Sequence, residues 1–344
     1  MKLDPKRVEH IVLVRIGKIG DLIVSNFAIR KVRASFPSAT IHLVTLPRNR
    51  ELLLYSQDVD RVMFFRRGAD IIPLLLRLRA FHADILLDFN DSPSSTSALI
   101  ARWGGAGLKV GFAFEKNRRF LSVPVECPPK EQTHITERLR KIPEAIGLQF
   151  DETEIVPSMT LGEREAKEVD LHLSEAGAGG SFLLAVNVSA GSPSRYWQVD
   201  RWKQLLTILK VEERGAKFLM LSAPGEEKLA ADVASVLPVS SRIFPLYSTL
   251  HHFAAYIAKA NLLISPDTSA VHIASAFQVP VIGLYPAVEW NFQSWHPMGT
   301  LSEAIRPPDG LVSKIGVEDV VAAFRRMRRK LRVANPGDPA STRG

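Results

Sequence analysis

At 344 residues the chain is longer than one ordinary hydrophobic core organises, so two domains are expected. A composition of 46% apolar and 23% charged residues excludes disorder, and a single cysteine, Cys127, excludes an intrachain disulfide and fits a reducing compartment. A net charge of +8, with an isoelectric point near 9.6, admits nucleic acid, anionic lipid or a phosphorylated substrate.

The N-terminal stretch Met1 to His10 is charged and lacks the apolar run of a secretion signal. No apolar run reaches the ~18 to 20 residues of a membrane span. The expected location is therefore the cytoplasm. Strand-like runs follow at Ile11–Ile16, Thr40–Leu46, Arg61–Phe65, Asp84–Phe89 and Lys109–Phe112, with helices over 22–35 and 92–102. A helix over about 134–147 ends at Gly147, a residue suited to a helix C-terminus. Residues 148–164 carry Pro157, several acids and no sustained periodicity, and read as a linker.

The second half restarts with the apolar run Phe182–Val188. A helix near 199–211, a strand over 217–222, helices over 226–236 and 250–260, a strand ending before Asp267, its helix, and a strand over 279–285 follow. A last amphipathic helix spans about 316–331. Strands alternating with helices in both halves predict α/β architecture, two doubly wound domains facing a central cleft. The expected division is an N-terminal domain over 1–155, a linker and start of the second domain over 156–180, a C-terminal domain over 181–331 and a flexible tail over 332–344.

The first strand runs into Arg15-Ile-Gly-Lys-Ile-Gly-Asp21, where Gly17 and Gly20 allow a tight turn and close approach of a ligand. The spacing is neither the dinucleotide pattern nor a P-loop. Asp21 reads equally as an acid favoured by a helix dipole or as a carboxylate able to take a proton from an acceptor hydroxyl. After the Phe182–Val188 strand comes Ser189-Ala-Gly-Ser-Pro-Ser-Arg-Tyr-Trp197, with Trp202 five residues on. Its small residues suit phosphate, and Arg195 adds a bidentate donor; the plain alternative is a loop with a surface arginine and two packing tryptophans. Glu226 and Glu227 follow the next strand, where an acid can accept from ribose hydroxyls or simply begin a helix.

Residues Ser265-Pro-Asp-Thr-Ser-Ala-Val-His272 hold the most informative pattern. Asp267, Thr268 and Ser269 at a strand-to-helix turn can cap the helix, yet they lie where backbone N–H groups receive anions at the carboxyl ends of strands. His272, one turn on, fits a packed histidine as well as a ligand contact. Asp58-Val-Asp60 has the spacing of a metal-binding sugar-nucleotide motif, but its place before a strand points to a turn. His251-His252 lacks a third ligand and Cys127 a partner, so neither makes a zinc site. Basic clusters at Arg30, Lys31 and Arg33, at Arg66 and Arg67, at Arg118 and Arg119, and over Arg325–Lys330 fit a protein that works on an anionic surface. No nucleic-acid-binding motif is legible, and a nucleic-acid partner is not expected.

In this order, Arg15–Asp21 with the downstream Phe36-Pro37, the Arg195–Trp202 segment and Asp267–His272 resemble glycosyltransferase family 9, the ADP-heptose:lipopolysaccharide heptosyltransferases, over about residues 10–325. The resemblance implies a GT-B fold, with acceptor bound by the N-terminal domain and nucleotide-sugar by the C-terminal one. It makes Asp21 the general base and puts Arg15, Lys18 and Gly20 beside the acceptor. Ser189, Ser192, Arg195, Asp267, Thr268, Ser269 and His272 would hold the donor, with Glu226 or Glu227 on its ribose and Leu246–Leu250 bordering its base. The implied reaction is inverting, without metal or other cofactor. The implied partners are an ADP-heptose-type donor and an anionic glycolipid acceptor, reached by peripheral contact with the inner membrane surface. Two positions depart from the family: Arg195 stands where lysine is usual, and Ser269 where glycine is usual. The competing readings are a nucleotide-sugar epimerase or hydrolase on the same fold, and a non-catalytic polyanion-binding protein.

Overall fold

The computed structural model describes residues 4–66, 68 and 70–334; residues 1–3, Arg67, Ala69 and residues 335–344 of the expected tail lie outside the described residues. The chain divides into two compact units, Met1–Thr160 with Gln293–Trp295, and Leu161–Phe292 with His296–Gly344. The first contains β1 (His10–Val14), α1 (Ile19–Ser35), β2 (Thr40–Thr45), β3 (Arg61–Phe64), α2 (Ile71–Phe81), β4 (Ile85–Asp88), α3 (Ser95–Trp103), β5 (Leu108–Phe112), β6 (Val123–Val125) and α4 (Ile135–Glu144). Its six strands lie in the order β3-β2-β1-β4-β5-β6, every neighbour parallel.

The second unit repeats the plan with α5 (Glu163–Glu175), β7 (Leu183–Asn187), α6 (Val199–Glu212), β8 (Lys217–Leu221), α7 (Glu227–Ala234), β9 (Arg242–Ile243), α8 (Leu250–Ala258), β10 (Leu262–Pro266), α9 (Ser269–Ala276), β11 (Val281–Leu284), α10 (Glu289–Trp295, whose last three residues group with the first unit), β12 (Ser302–Ile305) and α11 (Val317–Ala334). Its order is β12-β11-β10-β7-β8-β9, again all parallel, which is the first unit's order with each strand replaced by its counterpart. Parallel neighbours need crossovers, and helices on both faces bury the strands from both sides. The central strands accordingly read as unbroken apolar runs, with β4, β7, β10 and β11 buried throughout.

The crossover direction reverses between β1 and β4 in the first unit and between β7 and β10 in the second. These are topological switch points, where the loops leaving adjacent strands part to opposite faces and open a crevice at the carboxyl ends. Three of the turns singled out in the sequence follow β1, β7 and β10, three of these four strands, while the Glu226–Glu227 turn follows β8.

Several helix ends differ from expectation in instructive ways. α4 stops at Glu144, and Gly147 takes a left-handed φ of 92° so that the Leu148 N–H can return to the Pro143 carbonyl at 3.2 Å. α11 runs to Ala334, past the expected end at 331. Helices α2, α5 and α10 and strands β6, β9 and β12 were not anticipated. α2 is apolar on nearly all sides: Leu74 and Leu78 are buried, while Ile72 and Leu76 are 66% and 65% exposed. α5 buries Val169 and Leu173 beside Glu165, so a charge interrupts its apolar stripe. The two rows of α2 predict opposite outcomes in chemical denaturation. Leu78→Ala empties a fully buried site in the first unit's core and costs about 2–5 kcal/mol, whereas Ile72→Ser stays within about 0.5 kcal/mol of the parent.

Candidate functional site

Each unit gathers its candidate residues around its own switch point. In the first, β1 delivers Arg15 into a buried position, only 2% exposed. Its Nη1 donates to the Phe89 carbonyl at 2.7 Å and to Asp91 Oδ1 at 3.1 Å, so the loop after β1 is tied to the loop after β4. Asp91 Oδ2 accepts from Arg138 Nη1 of α4 at 2.8 Å, and Lys130 Nζ stands 3.8 Å away. Burial alone would push the Asp91 carboxyl up, but Arg15, Arg138 and Lys130 together outweigh it and hold it below its ordinary value. Asn90 adds a second tie by accepting the Ile16 N–H at 2.9 Å, and Asn49 a third by donating to the Gly17 carbonyl at 3.1 Å.

On this anchored turn sits Asp21, the third residue of α1. Its Oδ2 accepts the Lys18 N–H at 2.5 Å, so the carboxylate caps the first turn of the helix. Its Oδ1 lies 3.7 Å from Arg15 Nη2, and the side chain keeps 24% of its surface open to solvent. Gly17 is required here, because a Cβ at that position would stand 2.6 Å from Asp21 Oδ2. Lys18 is exposed and Gly20 buried within the start of α1.

In the second unit Asn187, at the end of β7, laces three segments together. Its Nδ2 reaches the Ser189 carbonyl at 3.2 Å, Ser265 Oγ at 2.9 Å and Thr268 Oγ1 at 3.3 Å. Ser189 Oγ accepts the Ala223 N–H at 2.7 Å, which brings in the loop after β8. Asp267 is almost fully buried; Arg195 Nη1 donates to its carbonyl at 2.9 Å and lies 3.3 Å from Oδ2, while Asn291 Nδ2 of α10 donates to Oδ2 at 2.7 Å. Tyr285 is buried nearby with no hydrogen-bond partner for its hydroxyl among the described residues. Burial first, and Asp267 second, push its ionisation well above the ordinary value, with Arg195 opposing.

Thr268 is the N-cap of α9, accepting the Ala270 N–H at 3.3 Å; Ser269 opens that helix and His272 is buried within it. Ser192 and Ser194 share a hydroxyl contact at 2.9 Å. Glu226 accepts from the Tyr196 hydroxyl, and this bond raises the ionisation of Tyr196. Glu227 folds back onto the Gly225 N–H at 3.0 Å and is exposed.

The features set aside in the sequence have structural tasks. Asp60 accepts from Arg33 and from the Ile41 N–H at 2.6 Å, fixing the turn before β3. His252 Nε2 pairs with Glu168 at 2.7 Å. Among the described residues, no group of three or more His, Cys, Asp and Glu side chains is placed to hold a metal ion. Asp91, Arg138, Asn187 and Asn291 were not singled out in the sequence. The first and third had a usable signal, since Asp91 lies just past β4 and Asn187 ends β7, two strands that border switch points; Arg138 and Asn291 had none, being recruited from distant helices.

The sequence pattern of glycosyltransferase family 9 (heptosyltransferase) matches residues 72–309. The chain belongs to this family. It is therefore a glycosyltransferase, which answers the epimerase and binding-protein readings at the level of reaction class. The family 9 chain is 24% identical over 342 residues to lipopolysaccharide heptosyltransferase 3 of Escherichia coli K12, covering 90% of this chain and 95% of that one. Its fold is similar to a family 9 glycosyl transferase from Veillonella parvula, with a TM-score of 0.80 at 18% identity over 96% of this chain and 99% of the other. It is also similar to the E. coli heptosyltransferase WaaC with ADP, with a TM-score of 0.72 at 18% identity over 94% and 99% of the two chains. Its two Rossmann-like domains are those of the GT-B class.

The Asp91 network predicts a pH-dependent cost for Asp91→Asn. A carboxylate held below its ordinary pKa of about 3.9 contributes fully above that pH, and the contribution is lost as pH falls through the lower folded value. Near neutral pH the variant takes the charge partner from buried Arg138 and leaves buried Arg15 only the more distant Asp21, and it loses about 3–5 kcal/mol in denaturant titration, a deficit that narrows towards pH 3.

Proposed function

We propose that this family 9 chain moves heptose, or a similar sugar, from an ADP-sugar to a lipid-linked saccharide acceptor such as the inner core of lipopolysaccharide, with inversion at the anomeric carbon and without a metal ion. The observation that carries this reading is Arg195 held on Asp267 at the start of α9, beside the Asn187-laced loops. A fixed guanidinium at a helix N-terminus suits a diphosphate. The likeness to a heptosyltransferase solved with ADP, and to a lipopolysaccharide heptosyltransferase, supports the choice of nucleotide and acceptor.

On this reading the C-terminal unit holds the donor. Arg195, Ser189 and Ser192 take the diphosphate, Asp267, Thr268 and Ser269 the sugar and its phosphates, and Glu226 or Glu227 the ribose. His272 supports the loop from within α9. The N-terminal unit holds the acceptor near Arg15, Lys18 and Gly20. Asp21 accepts the proton of the acceptor hydroxyl as its oxygen bonds to the anomeric carbon, and the bond from that carbon to the diphosphate oxygen breaks. The nucleoside diphosphate leaves with the electron pair, and Arg195 with the α9 N–H groups balances its charge in place of a divalent cation. The buried Asp91–Arg15 pair holds the turn beneath Asp21, so the carboxylate does not have to be reordered at each turnover.

Two variants separate binding from chemistry. Asp21→Asn retains the thermal shift given by ADP, while turnover, read as ADP release requiring both substrates, falls by about 10²–10⁴-fold. Arg195→Ala loses the ADP shift itself. Normal turnover in Asp21→Asn sinks the assignment of the base, and release of free sugar or an isomer from the donor alone sinks the transfer reading. A shift with another nucleotide and none with ADP redirects the donor.

A further inference from the structure

In the second sheet β10, β7, β8 and β9 stand side by side, all parallel, so the loops that leave them share one edge. On the proposed reading the loops after β10 and β7 take the sugar and the diphosphate, and the turn after β8, with Glu226 or Glu227, takes the ribose. The chemical order of a nucleotide-sugar thus runs strand by strand along the edge. The next loop in line, residues 244–249 after β9, is the one left for the base. In that loop Leu246 and Tyr247 are 65% and 37% exposed, an open apolar edge whose own burial cannot be what holds the loop in place.

The loop is held by polar groups from behind. The Leu246 N–H donates to the Tyr256 hydroxyl of α8 at 3.2 Å, and that hydroxyl stands 2.6 Å from His172 Nδ1 of α5. Tyr256 is fully buried, and burial raises its ionisation above the ordinary value, so the hydroxyl keeps its proton and has His172 to give it to. Burial also lowers the ionisation of His172, against Glu175, which leaves Nδ1 a lone pair to accept with. One residue on, the Tyr247 ring stacks on the His252 imidazole, with centroids 4.4 Å apart and planes at 22°. His252 is buried; its Nε2 donates to Glu168 Oε2 at 2.7 Å, and Thr249 Oγ1 meets its Nδ1 at 2.6 Å. Glu168 lies one turn before His172, so two chains of side chains fix two adjacent loop residues onto the same helix, α5.

We propose that Tyr256 with His172, and His252 with Glu168, are positioning residues for the nucleobase: they fix Leu246 and Tyr247 as a preformed apolar platform and so set which base the donor site prefers. A flat base gains most from an aliphatic side chain and an aromatic ring that are in place before it arrives, because ordering them on binding costs affinity. A purine covers more of such an edge than a pyrimidine does, so the platform favours ADP over UDP. This role rests on the proposed nucleotide-sugar site, and it acts on donor binding alone, away from the reacting atoms.

Calorimetric titration of the full chain with ADP and with UDP tests this, beside steady-state kinetics with the ADP-sugar. The parent binds ADP more tightly. Tyr256→Phe and Glu168→Ala each weaken ADP by about ten-fold and UDP by less than about two-fold; KM for the ADP-sugar rises about ten-fold, while kcat at saturating donor stays within about two-fold of the parent. The Glu168 side chain is 37% exposed, so its variant keeps the fold even if Tyr256→Phe loses it. The role is overturned if a folded variant binds ADP as the parent does, or if ADP and UDP weaken equally, which is the mark of general loosening. A parent that prefers UDP removes ADP as the donor nucleotide instead, and the four residues then stand or fall by a like loss of the UDP preference. A parent that binds neither nucleotide overturns the donor site and this role together.

Discussion

A carboxylate buried at the carboxyl edge of a parallel sheet must be given a charge or a donor, and in both units that requirement shapes the loops that matter. In the first unit Asp91 is met by Arg15 and Arg138; in the second Asp267 is met by Arg195 and Asn291. Each pairing joins loops that leave neighbouring strands at the point where the crossover direction reverses. Such loops would otherwise part to opposite faces, and an ion pair across them is what makes a crevice into a fixed arrangement of groups. The cost of desolvating these carboxylates is the reason each is given such partners. Removing either carboxylate takes a charge partner from the buried groups that it holds.

Asp21 shows how one side chain can answer to two demands. Its Oδ2 is occupied by the Lys18 N–H, as a helix-capping acid requires, while Oδ1 stands near a guanidinium and part of the side chain meets solvent. A carboxylate has lone pairs enough for both, and capping removes the rotamer freedom that a proton acceptor would have to lose before reaction. The capping interpretation and the chemical one, which compete when only the residue type is known, are compatible in three dimensions. The same holds for Thr268, whose hydroxyl caps Ala270 while also meeting Asn187.

The legible parts of the molecule were those determined by short stretches of chain. β1, β4, β7 and β10 are buried on both faces and announce themselves as apolar runs, and the turns after β1, β7 and β10 announce themselves by glycine, serine and acid in a few consecutive positions. What was missed had either no period or no local cause. α2 is apolar on its exposed side as well as its buried one, so no helical stripe stands out against a polar background. α5 places Glu165 in its buried row. β6, β9 and β12 are short strands at or beside the sheet edges, where two to four residues carry little pattern. Arg138 reaches Asp91 from 47 residues away and Asn291 reaches Asp267 from 24, and neither distance leaves a trace in spacing.

Arg195, held on Asp267, and Ser269, two residues beyond Asp267, are the positions where the resemblance expects other residues, and their geometry bears on what the proposed donor site can hold. Arg195 spends Nη1 on both the carbonyl and the carboxylate of Asp267, which leaves the rest of a planar fork for a ligand. A lysine making the same contacts would use two of the three protons on its single nitrogen, and would offer a diphosphate one direction instead of an edge. At the start of α9, Thr268 takes the Ala270 and Val271 N–H groups on its hydroxyl and carbonyl, at 3.3 and 3.2 Å. Among the described residues the N–H groups of Thr268 and Ser269 remain as the donors of that turn. Ser269 therefore adds its hydroxymethyl at one of the two backbone positions with a hydrogen left to give. On the proposed donor reading, the room lost there and the wider edge at Arg195 would act on the same phosphates and sugar. Selectivity for the donor should accordingly follow the pair of positions, each altering what the other can reach.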